Sequence, residues 1–218
     1  MFGLIVIKIS EPMNPQIHAI REEIARLETY DKQGESYANA EGRHGWRNPI
    51  RADTGPLLES LVLAAGSKRL LEIGTAHGLS ALYLVLGMGK GAVLNTVEFH
   101  EETARDSAER MGRLGVPVTV IHGEAGEVIR ERLTGQYDLV FLDAQKSHYH
   151  GQLTELMARG LVGPGTVVLA DNVIDREAEC REFLDWWVTR GAQHRIVPTE
   201  CGLLVGRLTE AEFQGSDE

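Results

Sequence analysis

A chain of 218 residues with a net charge of −10 and a pI near 5.3 suits one core-forming domain of ordinary size. Its apolar share of 43% and charged share of 25% are those of a soluble globular protein, and the acidic balance disfavours non-specific attraction to nucleic acid or anionic lipid. Two cysteines, Cys180 and Cys201, are too few for a disulfide framework and are spaced for neither a zinc site nor a redox pair, so free thiols in a reducing cytoplasm are expected.

In chain order, FGLIVIKI (2–9) is too short to span a bilayer and lacks the charged start and small-residue cleavage site of a signal peptide. It reads as an extra strand, or as sequence upstream of an alternative start at Met13. The segment NPQIHAIREEIARLETY (14–30) places Ile17, Ile20, Ile24 and Leu27 on one helical face, with Asn14 as N-cap and Pro15 at the first helical position. Residues 31–54 lack periodicity and are rich in Gly, Asn and Arg, the composition of a flap over a pocket or of disorder.

From residue 55 helices and strands alternate. Strands are expected at KRLLEIG, VLNTVEF, VTVIHG, the apolar run ending on Asp143 and the one ending on Asp171. The helices between them are LSALYLVLG, EETARDSAERMGRLG, AGEVIRERL and HYHGQLTELMARGLV, with GPLLESLVLAA ahead of the first strand. That alternation predicts an α/β fold with a mostly parallel sheet covered on both faces. A last helix (176–191) holds Trp186 and Trp187 as core residues with one ring partly exposed. It leads to AQHRIVP and GLLVGRL, an expected C-terminal antiparallel hairpin closing the sheet. The predicted organisation is 1–54 as N-terminal extension, helix and substrate flap, 55–210 as the core domain, and 211–218 as a tail.

Ligands of open α/β sheets gather outside the carboxyl ends of the strands. On that rim Gly74 and Gly78 frame a tight strand-to-helix turn where a ligand can approach the backbone and the helix N-terminus. The pattern Gly-Thr-Ala-His-Gly is not the GxGxxG of dinucleotide enzymes, because Ala76 stands at the middle glycine position. Glu98, at the end of the next strand, is placed to accept both hydroxyls of a ribose, which implies a nucleoside-bearing cofactor, adenosylmethionine or a nicotinamide.

LVFLD (139–143) and VVLADN (167–172) each end a buried run on acid. Asp143, Asp171 and Asn172 are oxygen ligands suited to a hard cation such as Mg²⁺ or Ca²⁺, and without one two converging carboxylates would repel. On spacing alone the alternative stands equally: Asp171-Asn172 caps a loop and Asp143 caps the next helix. Lys146, one turn beyond Asp143, is either a solvated surface lysine or, desolvated beside a cation, a general base for a hydroxyl. His148 and His150 read as surface residues, and His77 and His122 carry no assigned role.

LLEIGTAHGLSAL, the acid of TVEFH, HGEAGEVI, YDLVFLDAQKSHY and GTVVLADNVI together resemble, in order and spacing, the cation-dependent O-methyltransferases that include the catechol and caffeoyl-CoA enzymes, over roughly residues 48–208. The resemblance implies a Rossmann-like class I methyltransferase fold with a seven-stranded sheet. It implies S-adenosylmethionine as methyl donor and Mg²⁺ or a similar divalent cation, Ca²⁺ or Mn²⁺. Asp143, Asp171 and Asn172 match the metal ligands, and Lys146, with Asp143, the catalytic pair. Ile50, Glu72, Gly74, Thr75, Gly78, Ser80, Glu98, Ala125 and Asp143 fall at cofactor-binding positions. Glu124 in place of the usual Asp, and Gln145 in place of an aromatic or acidic residue, depart from the pattern. A small hydroxylated aromatic, catechol-like acceptor is implied, acting in a cytoplasmic homodimer without membrane association, with the apolar face of the 14–30 helix available for dimerisation. The alternatives are a tRNA hydroxyuridine O-methyltransferase, a nicotinamide-dependent dehydrogenase and a non-catalytic cofactor-binding module.

Overall fold

The computed structural model describes residues 14–32 and 49–213. The expected N-terminal strand, residues 33–48 of the flap and residues 214–218 of the tail lie outside the described residues. Two helices come first, α1 (Pro15–Lys32) and α2 (Thr54–Ala65). There follow β1 (Arg69–Ile73), α3 (Leu79–Gly87), β2 (Val93–Glu98), α4 (Glu101–Leu114), β3 (Val118–His122) and α5 (Ala125–Glu131). The second half runs β4 (Leu139–Leu142), α6 (Tyr149–Ala158), β5 (Val167–Ala170), α7 (Arg181–Thr189), β6 (Gln193–Val197) and β7 (Leu203–Arg207).

The strands form one seven-stranded sheet in the order β3-β2-β1-β4-β5-β7-β6. All neighbours pair parallel except at β7, which runs antiparallel to both β5 and β6. The fold is thus the expected α/β arrangement with a C-terminal antiparallel hairpin. The order reverses between β1 and β4, and at such a switch point the two connecting helices leave on opposite faces and open a crevice above the strand ends.

Successive side chains of a strand point to opposite faces, and here both faces are apolar. Leu71, Ile73, Val140, Leu142 and Val168 face one core, shared with Val128 of α5, Leu153 of α6 and Trp187 of α7. Leu70, Leu94, Phe141 and Leu169 face the other, shared with Leu58 of α2, Leu82 of α3 and Ile20, Ile24 and Leu27 of α1. Burial of these runs is what forces the strands to end where they do: Asp143 and Asp171 are the first residues past the sheet.

Three expectations are corrected. The apolar face of α1 is not a free surface, because Ile20, Ile24 and Leu27 are buried against α3 within the chain, while Ile17 is 40% exposed. The helix is held by Asn14 Oδ1 accepting from Gln16 N at 2.9 Å, by an ion pair of 2.7 Å between Glu23 and the buried Arg110, and by Gln16 Nε2 donating to the carbonyls that end α4. The last helix begins at Arg181 and not near 176, because Asn172 takes a left-handed φ of 65° and the chain turns through residues 173–180 before straightening. Both Trp186 and Trp187 are buried, packed edge to face with centroids 5.2 Å apart. Cys180 and Cys201 are buried free thiols, and no described helix is long and apolar enough to cross a membrane.

Candidate functional site

Above the ends of β1, β2, β3 and β4 lies a cavity of about 680 Å³, a size that suits a cofactor-sized ligand. Ile50, Gly74, Thr75, Ser80, Glu98, Ala125 and Asp143 all line it. So do His77, Phe99, His100, His148 and Gln152, which sequence reasoning left without a role. Gly78 and Glu72 do not line it: Gly78 is the N-cap of α3, and Glu72 is fully buried behind the loop.

Gly74 is required by a close approach. Its φ is +107°, and a Cβ there would sit 2.6 Å from the carbonyl oxygen of Asp143, so the loop after β1 and the end of β4 meet backbone to backbone. Gly78, also at positive φ, turns the chain so that α3 starts at the cavity with no side-chain cap on its first amides. Such unsatisfied N–H groups favour an electron-rich ligand.

Under this loop runs a chain of hydroxyls and acid. Thr75 Oγ1 and Thr96 Oγ1 are 2.5 Å apart and Thr96 Oγ1 donates to Glu72 Oε2 at 2.5 Å, while Glu72 Oε1 is sealed from solvent with no hydrogen-bond partner. Burial, opposed by the nearby Ser80 and Thr96 hydroxyls, pushes the Glu72 carboxyl up to about 8, so it is largely protonated at neutral pH and braces the loop without adding charge. Glu98 is fixed differently: Oε2 accepts from Ala76 N at 2.9 Å and Oε1 from His100 N at 2.8 Å. Each oxygen keeps a lone pair for a further donor, which is the arrangement a diol needs.

The acid-terminated strands lie side by side. Leu142 and Ala170 are partners in the β4/β5 ladder, which places Asp143 and Asp171 in register at adjacent strand ends, about 5 Å apart along the hydrogen-bonding direction. Asp143 Oδ1 accepts from Lys146 Nζ at 2.9 Å, and both side chains are 8% exposed. Lys146 also lies over the ring of Tyr149, 5.6 Å from its centroid. Asp171 is 2% exposed, and its Oδ1 is sealed from solvent with no hydrogen-bond partner. Burial first, and then the neighbouring Asp143, push the Asp171 carboxyl up to about 7; burial also raises Asp143, against the pull of Lys146. Asn172 donates its amide to Asp175 at 3.1 and 3.3 Å, which turns its own carbonyl oxygen away from that carboxylate. Asp175 is thereby a third acid at this end, unnoticed in the sequence because nothing in ADNVID separates it from a surface residue.

Two buried carboxylates that repel, one with an orphaned oxygen, beside an amide carbonyl, form a donor set that fits a hard divalent cation. Among the described residues no group of three or more His, Cys, Asp or Glu side chains gathers as a metal cluster, and the set here counts only two carboxylates with an amide.

Fold and cavity define a Rossmann-like class I methyltransferase architecture, a sheet whose switch-point crevice holds a loop, a diol-ready acid and Asp143, with Asp171 buried at the neighbouring strand end. The O-methyltransferase family model matches residues 40–185, and the chain belongs to that family. Catechol O-methyltransferase of Mycobacterium tuberculosis is 34% identical over 131 residues, 59% of this chain and 58% of that protein. Catechol O-methyltransferase B of Danio rerio is 32% identical over 135 residues, 59% of this chain and 51% of that protein. The match therefore spans between half and three-fifths of these curated relatives. Among solved structures, the SAM complex of the O-methyltransferase TomG of Streptomyces achromogenes aligns with a TM-score of 0.68 at 22% identity, over 92% of both chains. The SAH complex of the Bacillus cereus O-methyltransferase aligns with a TM-score of 0.67 at 21% identity, over 92% of this chain and 94% of that one. The tRNA and nicotinamide alternatives are not favoured by these comparisons.

Proposed function

We propose that the protein transfers the methyl group of S-adenosylmethionine to one hydroxyl of a small vicinal-dihydroxy, catechol-like aromatic compound, using a divalent cation, Mg²⁺ or a close substitute. The observation that carries this reading is the pairing of Asp143, which lines the cavity that contains Glu98, with Asp171 at the adjacent strand end, one of whose oxygens is buried without a partner. The names of the curated relatives support the acceptor class.

In this reading Glu98 accepts the ribose hydroxyls, Gly74 and Thr75 let the methionine portion approach the backbone, and Ser80 and Glu72 brace that loop from behind. Ile50, 6% exposed, closes the methionyl end with an apolar wall, and Ala125 borders the base. Asp143, Asp171 and Asn172 would hold the cation, which when bound supplies Lewis acidity and a template for two vicinal oxygens. Lys146 takes the proton from the reacting hydroxyl, since its Nζ is buried and held at Asp143, next to where that oxygen must sit. The O–CH₃ bond forms as the S–CH₃ bond breaks, and positioning of the two reactants supplies much of the acceleration. The two free thiols fit a cytoplasmic setting.

A methyl-transfer screen against catechols, hydroxycinnamoyl esters and hydroxyuridine-containing tRNA, each with and without Mg²⁺, tests the proposal. Transfer to a catechol that needs Mg²⁺ is expected. Transfer confined to the tRNA, or to none of the three, overturns the acceptor assignment.

A further inference from the structure

We infer that Gln152 is the side chain with which this chain reads the adenine edge of its methyl donor, an inference that rests on the cofactor reading above. The end of the main cavity beyond Glu98 is bordered by Gly123, Glu124 and Ala125 after β3 and by Ala144, His148 and Gln152 around the start of α6. A base attached to a ribose on Glu98 lies there, between the ends of β3 and β4.

Most of those residues offer a base edge nothing to bond. Gly123, Ala125 and Ala144 have no polar side chain. The Glu124 carboxylate is engaged in capping α5, accepting from Glu127 N at 2.8 Å. Gln145 is exposed, with its amide directed at Ser147 Oγ 3.4 Å away. Gln152 differs from all of them. It is 6% exposed, its Oε1 is sealed from solvent and meets no donor, and it lines both the main cavity and a smaller adjoining one of about 330 Å³. It stands four residues after His148, so the two share a face toward the cavity.

A buried amide oxygen without a partner is costly unless a ligand supplies the missing donor. A carboxamide presents acceptor and donor side by side, which complements the amino group of adenine and the ring nitrogen beside it. An edge read by a buried polar group discriminates strongly against an analogue that leaves that group unpaired.

The test is calorimetric, with the full chain, comparing adenosylhomocysteine with its analogue lacking the 6-amino group. The wild type is expected to bind the analogue roughly 10- to 100-fold more weakly. Gln152→Met should bind both compounds alike, near the affinity of the wild type for the analogue, whereas Gln145→Ala should keep the full preference. Gln152→Glu, which retains the acceptor oxygen, should also keep it and covers the case in which the methionine variant fails to fold. Undiminished discrimination in Gln152→Met, its loss in Gln145→Ala, its loss in Gln152→Glu, or no discrimination in the wild type overturns the assignment of Gln152. Absence of adenosylhomocysteine binding to the wild type instead overturns the cofactor reading itself.

Discussion

The two halves of the site present their acids differently. On the side of the glycine loop Glu98, which lines the cavity, receives two backbone amides, while Glu72 behind it keeps one sealed oxygen without a partner and has its carboxyl pushed up to about 8. On the side of β4 and β5 two acids stand at adjacent strand ends, Asp143 paired with Lys146 and Asp171 with one sealed oxygen that has no partner, and burial pushes both toward protonation. Glu98 is held ready for a further donor by two fixed amides, whereas the neighbouring strand-end carboxylates repel, a repulsion that a cation or a proton relieves. In the proposed function the nucleoside belongs to the first half and the metal, with the acceptor, to the second.

The sharpest way to break that contrast is Asp171→Asn. It should lower methyl transfer by about a thousandfold or more, because one charged ligand of the cation is lost, while adenosylhomocysteine affinity by calorimetry stays within about threefold of wild type. A parallel loss of cofactor affinity would show that the halves are not separate. Next in size, Lys146→Met should reduce kcat by about 10²- to 10⁴-fold with little change in the KM for the methyl donor, read from steady-state kinetics. An unchanged kcat would remove Lys146 as the proton acceptor.

On the nucleoside side, Gly74→Ala must push a methyl group to 2.6 Å from the Asp143 carbonyl at a φ reserved for glycine, and about 1–3 kcal/mol of stability should be lost in denaturant unfolding. The smallest effect is expected at Glu72. Its folded pKa of about 8 lies above the unfolded value of 4.5, so between these pH values the folded state holds the extra proton. Stability is then full below about pH 4.5 and declines as pH rises toward 8. Glu72→Gln should flatten that decline, by at most a few kcal/mol at pH 9, and leave stability near pH 4 almost unchanged; thermal unfolding across this range measures it.

Much of this was legible in the chain. Apolar runs that stop on Asp143 and Asp171 predicted strand ends, and the ladder pairing Leu142 with Ala170 makes those ends neighbours. The spacing of Gly74, Gly78 and Glu98 predicted a loop and an acid on one rim, and both border the same crevice. What stayed illegible depends on tertiary contact. Ile20, Ile24 and Leu27 have the same pattern whether their face meets another chain or α3, and only the fold selects α3. Gln152 and His148 look like ordinary polar positions of an amphipathic helix until α6 is seen to start at the cavity. The start of α7 was misplaced because helical periodicity continues through 176–180, where the left-handed turn at Asn172 overrides it.

The central claim is that the strand-end acids act through a bound cation, and its most direct test is methyl transfer from S-adenosylmethionine to a catechol after removal of metal with excess EDTA. The account predicts that turnover falls to background, that adenosylhomocysteine binding persists, and that Mg²⁺ restores activity. Full turnover in the presence of the chelator would contradict it.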